Sequence, residues 1–156
     1  MGEKLFFPLF VDLTEKEVLI VGAGKIATRR AKTLLPFAGK IRVIAPEVSQ
    51  EMADLAAFAE GVLEIVQRPF APSDLDGAGL VLAVTNEKEL NTKIGTLARE
   101  KNIPVNVSHE KELCDFYFPG VVRKEDVVIG VTASGSDHAL ARSMTEKIRE
   151  MMEEEK

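Results

Sequence analysis

Val18, Leu19, Ile20 and Val21 form an unbroken apolar run closed by Gly22. Such a run suits a strand buried on both faces, as in a parallel sheet. From Lys25 the period changes: Ile26, Ala27, Ala31, Leu34 and Leu35 recur at helical spacing until Pro36, which cannot extend the hydrogen-bond ladder, and Gly39 closes the segment. Ile41–Ala45 reads as a second strand. After Pro46 a helix fits Val48, Met52, Leu55, Ala56 and Ala59 up to Gly61, Val62–Val66 alternates as a third strand, and PFAPSDLDGAG is rich in turn formers. Leu80–Val84 is a fourth buried strand, Lys88–Lys101 carries Leu90, Ile94, Leu97 and Ala98 on one helical face, and Pro104–Val107 supplies a fifth strand. Residues 10–108 thus spell β-α-β-α-β-β-α-β, the order of a doubly wound parallel α/β sheet.

The pattern changes after residue 110. Phe116–Val122 and Val127–Thr132 are β-rich runs joined by the charged turn RKED, the mark of a hairpin, and Asp137–Glu153 reads as a closing helix. The expected division is therefore 1–110 for the sheet domain and 111–156 for the hairpin and helix. A hairpin outside the main sheet leaves edges to cover, and a second copy of the chain is one way to cover them.

Composition narrows the classes. A chain of 156 residues buries roughly 70% of its unfolded surface, enough for one core. A net charge of −5 disfavours nucleic acid or an anionic membrane as partner. The single cysteine, Cys114, forms no internal disulfide, no apolar stretch reaches the length of a membrane span, and MGEKLFFPLF is too short and too soon interrupted for a signal peptide. These readings point to a cytoplasmic protein. Two histidines and one cysteine match no zinc spacing, so no structural metal is expected.

Gly22-Ala23-Gly24-Lys25-Ile26-Ala27 is G-x-G-x-x-A placed between a buried strand and a helix, as in a Rossmann-like dinucleotide site. The first glycine permits the tight turn, the second admits a pyrophosphate, and Ala27 lets helix and strand pack closely, while the helix N-terminus offers amide donors. The same glycines would also serve a tight turn with no ligand. An acidic residue is wanted at the end of the second strand for the ribose, and Glu47, just after Ile44-Ala45-Pro46, is the candidate. No arginine follows that strand to hold a 2′-phosphate, which favours NAD over NADP.

PLFVDL, VLIVGAGKIATRRAKTLL, VIAP, LVLAVTNEKELN, IPVNVSHEKELCDFYFPGVVR and VTASGSDHALAR fall in one order over residues 8–142. In that order they resemble the precorrin-2 dehydrogenase and sirohydrochlorin ferrochelatase family, which includes the N-terminal module of siroheme synthase. The chain resembles a short form, stopping at Lys156 before the helical segment that partly covers the tetrapyrrole in longer relatives. The resemblance implies an NAD-binding domain and a region in which hairpins of two chains exchange to make a homodimer. It also implies NAD-dependent oxidation of precorrin-2, a carboxylate-rich tetrapyrrole, to sirohydrochlorin, with Fe2+ insertion in some members. Gly24, Lys25, Ile26, Pro46 and Glu47 would line the cofactor, with Gly22 in the turn and Thr85 after the fourth strand beside it.

Where the family carries an aspartate after its N-V strand, this chain has His109. Hydride transfer releases a proton that a histidine can accept near neutral pH, and His109 lies two residues beyond strand five, where ligands meet an open α/β sheet. His109 is therefore the expected catalytic base, against the reading of a solvent-facing loop residue, and Asp115 on the same connection is the runner-up. Cys114 reads as a small buried hydrophobe and Phe116, Tyr117 and Phe118 as packing. Ser136 or Asp137 can cap the closing helix, and Ser136 with Arg142 can instead hold a substrate carboxylate. Two other readings stay open: a non-catalytic dinucleotide-sensing module, and a tetrapyrrole carrier.

Overall fold

The computed structural model describes residues 5–155. The chain divides into two compact units, Val11–Phe116 and the described part of Met1–Phe10 with Tyr117–Lys156. The first holds β1 (Glu17–Val21), α1 (Lys25–Leu34), β2 (Lys40–Ile44), α2 (Gln50–Phe58), β3 (Leu63–Val66), a 3-10 turn at Pro72–Leu75, β4 (Ala78–Ala83), α3 (Lys88–Glu100), β5 (Val105–Val107) and a second 3-10 turn at Lys111–Leu113. All five strands are parallel, in the order β3-β2-β1-β4-β5. This is the Rossmann-like doubly wound sheet that the alternation predicts.

Burial on both faces explains the unbroken apolar runs. Leu19, Val21, Ile44, Val81, Ala83, Val105 and Val107 form a cluster with Leu75, Ile94 and Ala98 beneath α3. Val18, Ile20, Ile41, Val43 and Leu82 occupy the alternate positions and are fully buried on the opposite face. Helix α1 turns Ala27, Thr28, Ala31 and Leu34 inward, one stripe at helical spacing, and packs against α2. Replacing a fully buried leucine such as Leu82 by alanine removes contacts worth about 2–5 kcal/mol.

Two boundaries differ from expectation for physical reasons. Helix α2 starts at Gln50, not just after Pro46, because the Ser49 hydroxyl accepts from the Met52 amide at 3.2 Å and caps it there. The first hairpin strand starts at Gly120, not Phe116. Residues 114–116 instead bond back to β5, as described below.

In the second unit, β6 (Gly120–Lys124) pairs antiparallel with β7 (Val127–Val131) across a two-residue turn at Glu125 and Asp126, with Glu125 in the left-handed region at φ 52°. Helix α4 (His138–Glu154) packs on the hairpin and buries Thr145. Lys124 Nζ donates to the Met152 and Glu155 carbonyls at the end of that helix, where a cation complements the helix dipole. Among the described residues no helix is long and apolar enough to cross a membrane.

Candidate active site

The two glycines after β1 have different reasons to be glycine. Gly22 has φ +115°, and a Cβ there would lie 2.6 Å from the Val84 carbonyl oxygen, so the chain's own packing excludes any side chain. Gly24 has an ordinary extended backbone, φ −88° and ψ −163°, and a Cβ there would meet nothing within 4 Å. Nothing in the fold requires Gly24 to lack a side chain. The open space lies at the N-terminus of α1, where amide groups and the helix dipole favour an anion, so the residues present fit a dinucleotide pyrophosphate.

Lys25, Ile26, Pro46, Glu47 and Thr85 lie at the same end of the sheet. Lys25 and Ile26 are exposed on the first turn of α1, Ile26 at 46% although apolar, which leaves a greasy surface beside the cradle. The Ser49 amide donates to the Ala23 carbonyl at 3.1 Å, which ties the segment holding the exposed Pro46 and Glu47 to the glycine turn. Thr28 locks the helix start, its hydroxyl donating to the Gly24 carbonyl at 2.8 Å. Thr85 follows β4 at this edge, but its polar groups are spoken for. Its amide and hydroxyl both donate to Asn91 Oδ1, at 3.0 and 2.6 Å, and its carbonyl accepts from Asn91 Nδ2 at 2.9 Å.

His109 stands two residues past β5, its ring 24% exposed. Asn91 Nδ2 lies 3.4 Å from its Nδ1, and Glu110 Oε2 lies 4.0 Å from its Nε2 while accepting from the Thr92 hydroxyl at 2.6 Å. His109, Thr85 and the first turn of α3 are thereby one connected polar group.

Asp115 lies away from this polar group. Its Oδ2 accepts from the Val105 amide at 3.0 Å, its own amide donates to the Val105 carbonyl at 2.9 Å, and Arg99 Nε donates to its Oδ1 at 3.1 Å. Val105 opens β5, so Asp115 sits at the opposite end of the strand from the glycine turn, beside a shallow hollow formed with Arg99, Asn102, Ile103 and Pro104. A carboxylate so placed is a backbone anchor rather than a base for chemistry beyond the strands' C-terminal ends. Cys114 works at the other end of the same strand: the Val107 amide donates to its Sγ at 3.2 Å, and the thiol donates to the Val107 carbonyl at 3.1 Å. Together the two residues satisfy the outward-facing backbone of β5, which would otherwise be an open edge. Burial pushes the Cys114 thiol above its usual range, which keeps it protonated.

Two buried polar residues went unnoticed in the sequence. Asn106, 3% exposed in the middle of β5, accepts from Arg30 at 2.7 Å and donates to the Phe116 carbonyl at 2.8 Å. Burial, then the charge of Arg29, draws the Arg30 guanidinium down to about 10, with Cys114 opposing; it stays charged at neutral pH. Asn91 is the other, 1% exposed on α3. Both carried a signal, a lone amide within an otherwise apolar strand or helical stripe.

Ser136 and Arg142 belong to the second unit. The Ser136 hydroxyl donates to the Ala133 carbonyl at 2.7 Å, Asp137 caps α4 through a bond from the Leu140 amide at 2.8 Å, and Arg142 is exposed on that helix.

Comparison with known proteins agrees with this geometry. The chain is 38% identical over 143 residues to the siroheme synthase of Ectopseudomonas mendocina and 36% identical over 143 residues to that of Azotobacter vinelandii. Each match covers 92% of this chain and 30% of the relative, so the chain spans less than a third of these relatives' length. Among solved structures it resembles "SirC, precorrin-2 dehydrogenase", with a TM-score of 0.74 at 23% identity, covering 94% of this chain and 71% of the other; this shows a shared fold. The family model described as "Putative NAD(P)-binding" matches residues 9–120, and the chain belongs to that NAD(P)-binding family.

Proposed function

We propose that the chain oxidises precorrin-2 to sirohydrochlorin, with NAD+ taking a hydride and a proton passing to solvent. The observation that carries this reading is the open cradle at Gly24 in the same unit, and at the same end of the sheet, as His109. The relatives named siroheme synthase and the fold neighbour named precorrin-2 dehydrogenase support the choice of substrate.

The bound dinucleotide supplies the hydride acceptor. The chain supplies everything else. The α1 N-terminus and Gly24 hold the pyrophosphate, Ile26 and Pro46 offer apolar surface, Glu47 accepts a ribose hydroxyl, and Gly22 keeps the turn tight against β4. Asn91 holds Thr85 and His109 in place, and His109 meets the substrate. Ser136 and Arg142 of the second unit bind substrate carboxylates, to which a guanidinium is suited. The same reading includes a homodimer formed through the hairpins, a cytoplasmic setting in which Cys114 stays reduced, and Fe2+ as a second substrate.

The test is purified protein mixed with precorrin-2 and NAD+, followed by absorbance for NADH and sirohydrochlorin. Turnover is expected. Binding of NAD+ without turnover would sink the dehydrogenase and favour the sensing or carrier reading, and Fe2+ added to sirohydrochlorin in a second cuvette checks iron insertion.

A further inference from the structure

Thr85 decides which way the Asn91 amide points. The Thr85 N–H needs an acceptor and takes Oδ1, while the Thr85 C=O needs a donor and takes Nδ2. With the amide so fixed, and Asn91 only 1% exposed on α3, the group facing His109 Nδ1 at 3.4 Å is an NH2, which donates and never accepts. His109 Nδ1 must then be the bare nitrogen, and the ring proton sits on Nε2. That Nε2 lies 4.0 Å from Glu110 Oε2, beyond hydrogen-bond reach, and Glu110 is itself engaged by Thr92 at 2.6 Å.

We propose that Asn91 is a positioning residue that holds neutral His109 in its Nε2–H form, so that His109 meets the substrate as a hydrogen-bond donor and not as the proton-accepting base. The part concerning substrate rests on the dehydrogenase reading; the part concerning the tautomer does not. The one lone pair of the neutral ring is turned toward Asn91, and the outward nitrogen carries hydrogen, so a substrate carboxylate is the acceptor it suits. The proton released on oxidation goes to water. A base role would require the ring to leave Asn91 first.

The chain has two histidines, His109 and His138, so nitrogen-resolved NMR of labelled protein carrying His138→Gln reads the His109 ring alone. The spectrum of the neutral ring is expected to show Nε2–H with a bare Nδ1. In Asn91→Asp the carboxylate accepts instead, and the proton is expected to move to Nδ1. A wild-type ring protonated on Nδ1, or one that Asn91→Asp leaves unchanged in a folded protein, overturns the proposal. The second arm is catalytic and needs no change in the buried helix. His109→Gln keeps an N–H donor and lacks a base, so it is expected to retain kcat/KM within about threefold, while His109→Ala, which loses a hydrogen bond to a charged group, is expected to lose roughly 10- to 100-fold in kcat/KM. Equal losses in both variants would return His109 to the role of base. If the wild-type protein shows no turnover at all, the dehydrogenase reading falls, and the NMR arm still decides the tautomer.

Discussion

The connections that follow β1 and β5 leave the same end of the sheet, beyond the C-termini of its strands, and treat their polar groups in opposite ways. After β1, Gly24 opens onto empty space at a helix N-terminus, and its lack of a side chain serves nothing inside the chain. After β5, the run from Ser108 to Phe116 holds a histidine, a thiol and several carboxylates, yet Cys114 and Asp115 spend theirs on the backbone of the strand just left. The richer chemistry belongs to the connection that, His109 apart, is largely spent inward. A reactive-looking residue says less about a site than a group the fold leaves without employment.

Gly22 and Gly24 give the sharpest way to break this contrast. Gly22→Ala forces a Cβ to 2.6 Å from a carbonyl oxygen at positive φ, and a loss of about 3 kcal/mol or more is expected in urea unfolding. Asp74, 3% exposed, is a second group spent inward: Arg68 donates to both its oxygens at 2.6 and 2.8 Å, and the Ala71 amide donates at 2.7 Å. Asp74→Ala is expected to cost about 3 kcal/mol with no change in NAD+ affinity. The Arg68 bonds hold this carboxyl below its usual value of 3.8 despite the opposing effect of burial. A lowered folded value means the stabilisation is present above the unfolded value and is lost as pH falls through the folded one. The stability gap between wild type and Asp74→Asn should therefore close below about pH 4 in urea midpoints.

Gly24→Ala should leave the urea midpoint within about 1 kcal/mol, since its Cβ touches nothing, and weaken NAD+ binding by roughly tenfold in calorimetry. Equal affinity would remove the cradle from the cofactor site. Asp115→Asn is the smallest case. Its expected cost is about 1 kcal/mol, from weaker bonds to Arg99 and the Val105 amide, with kcat unchanged; a large fall in kcat would restore it as a candidate base.

Much of this was legible from period alone. The unbroken runs of β1 and β4 announce strands covered on both faces, and G-x-G-x-x-A marks the end of the sheet at which Gly24 opens. What pattern could not show is where side chains stand in for a missing strand. Cys114 and Asp115 close the edge of β5 through Sγ and carboxylate bonds that have no periodicity, so the stretch read as a hairpin arm and a spare base. Asn91 was hidden differently: it lies on the same helical face as Ile94 and Ala98, where a buried amide is the exception worth asking about. Its partner Thr85 is six residues away, but His109 is eighteen residues away and joined to it only by the fold.

The placement of β1 between β2 and β4 also sets a timetable for folding. As the chain leaves the ribosome, Val18 meets Ile41 early and the β1-α1-β2 run can pair while still being made. Its other neighbour, Leu80, arrives about forty residues after Ile41, after all of α2, β3 and the turn at Pro72–Leu75. Until then β1, buried from Val18 to Val21 in the finished sheet, waits with one side unpaired, and long-range parallel pairing of this kind is slow. The nascent half-sheet is the interval in which this chain has most need of a chaperone.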